Sequence, residues 1–238
     1  MIDEIINRLP SLVDNEVQIW RSWPQPQAYI TKLFKDTLTD SEKARADLYC
    51  CEKDHDNFVI CRALVKLVIS RHVKTSPSDI RIQIGPKGKP YVQLPGCQAP
   101  FFNVSHTTGM CLIGLSTACP IGVDVELVRD SFRLDVAKSC LSSDEFEALT
   151  KMPYSKQLET FFTLWTRKEA SVKATGEGLR ALMQSSFFCS DEEDMIRPCL
   201  RRGRMTVIGL EVGLRHKASL ACHGESQSIA VFDAESFL

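Results

Sequence analysis

Apolar residues along this chain switch twice from a helical spacing to strand-like runs, and that order limits the folds available to it. Residues 57–72, NFVICRALVKLVISRH, carry apolar side chains at the 3.6-residue period of a helix. Residues 78–94 then read as a strand, a turn and a second strand. Beyond the midpoint near Cys119–Pro120, residues 133–176 return to a helical pattern. Further strand-like runs, among them SSFFCS at residues 185–190 and SIAVFDA at residues 228–234, close the chain. The sequence therefore predicts an α+β fold built from two similar lobes.

We place the lobe boundary at that midpoint, with an N-terminal α+β lobe of residues 1–119 and a C-terminal α+β lobe of residues 120–238. Because ligands often bind where two such units meet, we expect the active site at the interface between the lobes. Within the first lobe, residues 41–49 are predicted to form a helix. Ser41 is the expected N-cap, because a serine hydroxyl can accept a hydrogen bond from a free backbone N–H of the first turn.

Composition argues against several classes of protein. Lys and Arg total 29 and Asp and Glu total 30, so there is no excess positive charge for bulk nucleic-acid binding. The sequence has no run of about 20 apolar residues, and its beginning, MIDEIINRLP, lacks the pattern of a secretory signal. The ten cysteines include no Cys-x-x-Cys pair. We therefore expect a cytoplasmic protein with reduced thiols and no membrane or nucleic-acid partner.

The segment PIGVDVELV alternates in the manner of a strand. Asp124 and Glu126 then point to one face, and the aliphatic side chains between them point to the other. Two neighbouring carboxylates repel each other unless a cation lies between them, and ligand sets made only of oxygen suit Mg²⁺. A solvent-exposed strand face without any ion would give the same pattern. Whether this pair binds a metal depends on what lies opposite it.

The segment WTRKEASVKATGEG predicts an amphipathic helix that carries charge on its apolar side. Trp165, Glu169 and Lys173 recur every four residues and therefore share one face. An exposed ion pair between Glu169 and Lys173 would need no special function. The aromatic residues on this face require burial, however, so we expect the two charged groups to face a cleft. The helix should end at Gly176 and Gly178.

Two predicted turns carry further polar groups that could contribute to a binding site. NVSHTTG places Ser105 and His106 where a strand runs into a turn, without the Gly-x-Ser-x-Gly pattern of a hydrolase nucleophile. GPKGKP places Lys87 and Lys89 on a turn whose glycines would let a phosphate approach the backbone. A half-buried turn histidine and an ordinary hairpin tip are the alternatives.

Taken together, GKP, FFNVSHTTG, GVDVE and LWTRKEASVKATGEGL, in this order, resemble the 4′-phosphopantetheinyl transferases. The length is similar to that of the surfactin-synthetase type, a single-chain pseudo-dimer of two related α+β halves, and the resemblance covers roughly Ser41 to Leu179. It implies transfer of the 4′-phosphopantetheine arm of coenzyme A to a serine of an apo carrier protein, with release of adenosine 3′,5′-bisphosphate. Coenzyme A would be the co-substrate, Mg²⁺ the cofactor, and a monomer the expected state.

The resemblance also implies a role for each matching residue. Asp124, Glu126 and Glu169 match the family's acidic metal site. Glu169 is the candidate base, and Lys173 matches the lysine that contacts the pyrophosphate; with Asp124 they form the expected catalytic set. The implied contacts to coenzyme A are, in chain order, Arg45, Arg62, Gly88, Lys89, Pro90, Ser105, His106, Lys168 and Lys173.

Two positions depart from the family pattern, and both concern the adenosine end of coenzyme A. Lys87 stands where many members have a tyrosine, and Ala63 stands where some members supply a hydroxyl. Two other functions remain open at this stage: a Mg²⁺-dependent phosphohydrolase acting on coenzyme A or nucleotides, and a non-enzymatic module that binds carrier proteins. The carrier itself, from fatty-acid, polyketide or peptide synthesis, is not specified by these motifs.

Overall fold

The computed structural model describes residues 1–23, 28–94, 98–129, 133–176, 199–202, 205–224 and 228–238. Two sequence predictions, the strand at residues 185–190 and the role of Gly178 at the end of a helix, lie outside the described residues.

Helices and strands occur in both halves of the chain. The α-helices are α1 Ile2–Arg8, α2 Ala28–Lys35, α3 Asp40–Ala46, α4 Glu52–Val73, α5 Leu134–Cys140, α6 Ser143–Lys151 and α7 Tyr154–Thr175. The strands are β1 Glu16–Ser22, β2 Ile82–Ile84, β3 Pro90–Val92, β4 Phe101–Thr107, β5 Met110–Ser116, β6 Ile121–Leu127, β7 Cys199–Arg202, β8 Met205–Leu210, β9 His216–His223 and β10 Ser228–Asp233. The predicted α+β class is confirmed, and none of the described helices is long and apolar enough to cross a membrane.

The start of α3 differs from the prediction. Thr39, and not Ser41, is its N-cap: the Thr39 hydroxyl accepts from the backbone N–H of Glu42 at 3.3 Å, and the Glu42 carboxylate accepts from the backbone N–H of Thr39 at 2.9 Å. This reciprocal pair satisfies two backbone donors that the first turn leaves free. Ser41 has no glutamate or glutamine three residues later, so it offers only half of that arrangement.

Two four-stranded sheets form the framework of the molecule. The first has the strand order β10-β1-β5-β4, and the second has the order β6-β9-β8-β7. In the first sheet the last strand of the chain, β10, pairs in parallel with β1, with Ile19 opposite Val231. The C-terminal end of the chain therefore completes a sheet whose other strands come from the first 119 residues, while the division of the chain at residue 119 stays a prediction.

The two sheets share an apolar core. Ile19, Met110 and Leu112 of the first sheet pack in one buried cluster with Val123 and Leu220 of the second. All five are almost completely shielded from solvent. The two sheets therefore meet through packed side chains and not across a layer of solvent.

Helix α7 lies directly against β6, and a glycine makes this possible. A Cβ atom at Gly122 would lie 2.0 Å from the carbonyl oxygen of Ala170 and 2.4 Å from the backbone nitrogen of Ala174. Only a residue without a side chain fits at such a distance. The helix ends at Gly176, whose φ of 68° is the left-handed C-cap expected from the sequence. This contact places the end of α7 beside the carboxylates of β6.

Candidate active site

Asp124 lies at the centre of the site, with 4 % of its surface exposed. Its Oδ1 atom accepts hydrogen bonds from the Ser105 hydroxyl at 2.9 Å and from the Lys173 ammonium at 2.7 Å. Its Oδ2 atom is buried and has no hydrogen-bond partner in the described structure. A buried carboxylate oxygen without a partner is costly, so this atom is well suited to a cation that arrives with the substrate.

Lys173 joins α7 to both lobes. Besides Asp124, its ammonium donates to the Ser105 hydroxyl at 3.0 Å, on β4, and to the backbone carbonyl of Val123 at 3.2 Å, on β6. Three acceptors satisfy the three donors of an ammonium, which fixes its position. Lys173 thus points to β4 and β6 with its side chain partly exposed, and the expectation that it faces a cleft stays a prediction.

Glu126 is held two residues along the same strand. Its carboxylate accepts long hydrogen bonds of 3.4 Å from the Trp165 indole N–H and from the Thr107 hydroxyl. Burial raises the pKa of Glu126, and the nearby charge of Asp124 raises it further. The sequence analysis did not identify Thr107 as a site residue. Its position two residues after Ser105 on β4 places both side chains on the same face of that strand.

Glu169 completes the acidic group from the helix side. Burial is the main reason that its pKa is raised; the charges of Asp124 and Glu126 add to this, and Lys173 opposes it. The charges of the three carboxylates therefore influence one another across the contact between α7 and β6. Among the described residues, no three histidine, cysteine, aspartate or glutamate side chains are grouped closely enough to hold a metal ion. The metal site expected at Asp124, Glu126 and Glu169 therefore stays a prediction.

A cavity of about 740 Å³ extends from this acidic group to helices α3 and α4. Its lining brings together five of the predicted site residues: Arg45, Arg62, Pro90, His106 and Glu126. Glu126 contributes a carboxylate to the lining, with Arg129 nearby, and positive charge prevails at the end lined by α3 and α4, which we call the basic end. Such a distribution of charge suits a ligand that carries phosphate groups and is held partly through a divalent cation.

The hairpin residues Gly88 and Lys89 have distinct structural roles. Gly88 takes a φ of 78° in the turn between β2 and β3, a conformation that favours glycine. The Lys89 ammonium donates to the backbone carbonyls of Ile121 at 2.9 Å and Ala174 at 3.1 Å. Burial lowers the pKa of Lys89. In this structure Lys89 ties the hairpin to the junction of β6 and α7.

Lys168 is not part of this cavity, which corrects the expectation that it contacts coenzyme A. Its ammonium forms an ion pair of 2.8 Å with Glu145 of α6, and both side chains are completely buried. On a helix, Lys168 lies about 100° around the axis from Glu169, and its side chain points to α6. The pair with Glu145 joins α6 to α7 instead.

Two family models match the chain, and they meet at the predicted midpoint. Residues 120–229 match the 4′-phosphopantetheinyl transferase superfamily, and residues 20–117 match the N-terminal region of 4′-phosphopantetheinyl transferases. The first match includes the β6 and α7 residues of the acidic group. The second includes Arg45, Arg62 and the strand that carries Ser105 and His106.

Several curated proteins are similar over most of the chain. The Synechocystis sp. protein slr0495, provisionally named a 4′-phosphopantetheinyl transferase, is 32 % identical over 164 residues, which cover 66 % of this chain and 67 % of that protein. The 4′-phosphopantetheinyl transferase HetI of Nostoc sp. is 29 % identical over 175 residues, or 72 % of this chain and 73 % of HetI. The 4′-phosphopantetheinyl transferase Sfp of Bacillus subtilis is 29 % identical over 152 residues, or 64 % of this chain and 66 % of Sfp.

Proposed function

The chain belongs to the 4′-phosphopantetheinyl transferase superfamily, and on that premise we propose that Asp124, Glu126, Glu169 and Lys173 form its catalytic centre. The enzyme transfers the 4′-phosphopantetheine group of coenzyme A to a serine of an apo carrier protein. One observation carries the assignment of the centre: Lys173 of α7 is fixed on Asp124 of β6, with two further carboxylates interacting beside it.

Asp124, Glu126 and Glu169 would hold a Mg²⁺ ion. The fit rests on the buried Oδ2 atom of Asp124, which lacks a partner, and on the raised pKa of Glu126 and Glu169, which a nearby cation would reverse. When bound, Mg²⁺ supplies a Lewis acid that polarises the phosphoryl group. Because Mg²⁺ keeps several water or phosphate ligands of its own, the side chains need not enclose it before coenzyme A arrives.

The rest of coenzyme A would lie along the cavity. Its 3′-phosphate fits the basic end, where Arg45, Arg62 and His106 line the wall. Ser105 and the Gly88–Pro90 turn border the path between this end and the acidic centre, as the family motifs suggest. Holding both ends of the substrate fixes the reactive phosphorus between them, and such positioning accounts for much of the catalysis of phosphoryl transfer.

In the transfer step, the carrier serine forms a bond to the phosphorus that bears the pantetheine, and the bond from that phosphorus to the bridging oxygen of the pyrophosphate breaks. The serine proton goes to Glu169, directly or through a bound water, since a carboxylate placed beside the reacting hydroxyl can accept it. Lys173 offsets the negative charge that develops on the departing adenosine 3′,5′-bisphosphate.

The test is mass spectrometry of several apo carrier proteins after incubation with the enzyme, coenzyme A and Mg²⁺. We expect a gain of one phosphopantetheine on the carrier serine and an equal amount of adenosine 3′,5′-bisphosphate. A parallel incubation without carrier separates transfer from hydrolysis. Rapid release of adenosine bisphosphate in that control, with no modified carrier in the main reaction, would contradict the proposed function and identify a phosphohydrolase.

A further inference from the structure

The basic end of the cavity is organised around one aromatic ring. The guanidinium carbon of Arg45 lies 5.5 Å from the centroid of the Phe58 ring, and that of Arg62 lies at the same distance. Both distances are within the range of cation–π attraction. Phe58 extends from α4, is only half-buried, and lines the cavity together with both arginines.

The two arginines need such support because they repel each other. Burial lowers the pKa of Arg62, and the charge of Arg45 lowers it further, while the charge of Glu42 opposes this. Glu42 offsets part of this charge: its Oε1 atom is 3.7 Å from the Arg62 Nε, while its Oε2 atom is bonded to the buried Lys66 at 2.9 Å. Where α3 and α4 line the cavity, Arg45, Lys53 and Arg62 stand against Asp54, so positive charge is in excess there.

The Phe58 ring also packs against a second aromatic ring, which limits its movement. The Tyr49 ring packs against it with 5.6 Å between centroids, and Tyr49 also lines the cavity. A ring fixed in this way presents its electron-rich face in a constant position. From these contacts we infer that Phe58 is a positioning residue, which holds Arg45 and Arg62 at the spacing needed to bind the 3′-phosphate of coenzyme A.

This inference rests on the proposed function. The arginines that Phe58 positions would allow the enzyme to distinguish coenzyme A from its 3′-dephospho form. The ring contributes no hydrogen bond to the ligand. The Phe58 ring stabilises the two neighbouring positive charges before the phosphate binds. Less free energy of binding is then lost in ordering the two arginines. The effect of the ring should consequently appear only with ligands that carry the 3′-phosphate.

The experiment compares Phe58→Leu, which keeps apolar volume but removes the ring, with Phe58→Tyr, which keeps it. For Phe58→Leu we expect KM for coenzyme A to rise about tenfold, the effect of losing two cation–π contacts, with kcat unchanged. KM for 3′-dephospho-coenzyme A should change less than about twofold. Phe58→Tyr should behave as the unchanged enzyme, and so should Tyr154→Leu, which removes an exposed aromatic ring outside the cavity.

Direct binding provides a second measurement that does not depend on turnover. Calorimetric titration with adenosine 3′,5′-bisphosphate and with adenosine 5′-monophosphate should show the Phe58→Leu loss for the first ligand only. Equal losses for both ligands would mean that Phe58 contacts the base, and no loss for either would mean that the ring does not order the arginines; both results overturn the inference. If the unchanged enzyme modifies no carrier, it is instead the proposed function that fails.

Discussion

At the scale of single residues, the site is a balance of one ammonium against three carboxylates. Lys173 is bonded to Asp124, while Glu126 and Glu169 have raised pKa values because the charges of Arg129 and Lys173 only partly oppose burial and the neighbouring carboxylates. A carboxyl whose pKa is higher in the folded than in the unfolded protein destabilises the fold above that pKa, and the penalty disappears as the pH falls through it. The acids therefore reduce the stability of the protein without a metal at neutral pH.

Replacing Glu169 by Gln tests this balance. Transfer should fall by at least about 100-fold, because the amide cannot accept the serine proton. The melting temperature without metal should stay equal or rise, because one repelling charge is removed. Steady-state kinetics and thermal unfolding on the same preparation provide both readings. Normal turnover in Glu169→Gln would remove Glu169 from the catalytic centre.

Lys173→Ala should affect the rate more than the binding of coenzyme A. We expect kcat to fall about 100-fold, since the developing charge on the leaving group loses its partner, while KM for coenzyme A stays within about threefold. The measurement is kcat and KM with a saturating carrier. An unchanged kcat would assign Lys173 a purely structural role on Asp124.

At the scale of secondary-structure elements, the contact between β6 and α7 brings the site together, and local patterns predicted which side chains each element contributes. The alternation of GVDVE places Asp124 and Glu126 on one face, and the four-residue spacing places Glu169 and Lys173 on one side of a helix. The position of Lys168 was not predictable in this way. Its partner, Glu145, lies on a different helix, and no local pattern states which helices will pack together.

Gly122→Ala tests whether that contact is as close as the structure has it. The new methyl group would overlap the backbone of Ala170, so we expect a loss of about 3 kcal/mol in the free energy of unfolding together with loss of transfer. Gly109→Ala is the matched control, since it has a φ of 79° and open space around the added atom. It should cost only about 1–2 kcal/mol. Equal costs, measured by urea denaturation, would show that α7 can shift away from β6 easily.

At the scale of the whole molecule, the two lobes are linked in two ways that the sequence did not indicate. Their sheets share a buried apolar cluster, and β10 from the end of the chain joins the sheet of the first lobe. Alternation in the segment SIAVFDA predicted a strand, but the choice of β1 as its partner depends on a contact between residues more than 200 positions apart. A pattern within a short segment carries no information about such a pairing.

We therefore expect the lobes to unfold together. Trp20 and Trp23 report on the first lobe and Trp165 on α7 of the second. A variant without Trp165 and a variant without both Trp20 and Trp23 therefore separate the two fluorescence signals. Both signals should change at the same temperature, and calorimetry should give a single transition. Phe232→Ala, which removes a β10 ring stacked 4.8 Å from Trp20, should lower both midpoints equally. Two separate midpoints would show that the lobes are independent.

The parallel pairing of β10 with β1 also orders events during protein synthesis. The edge of β1 that receives Ser228–Asp233 stays open while the ribosome adds about two hundred further residues, so the first sheet cannot close as its own strands emerge. Until then that edge is a place where a nascent chain can pair with another. The first sheet is thereby completed only when nearly the whole described chain has been translated, and one edge of β1 is exposed throughout that interval.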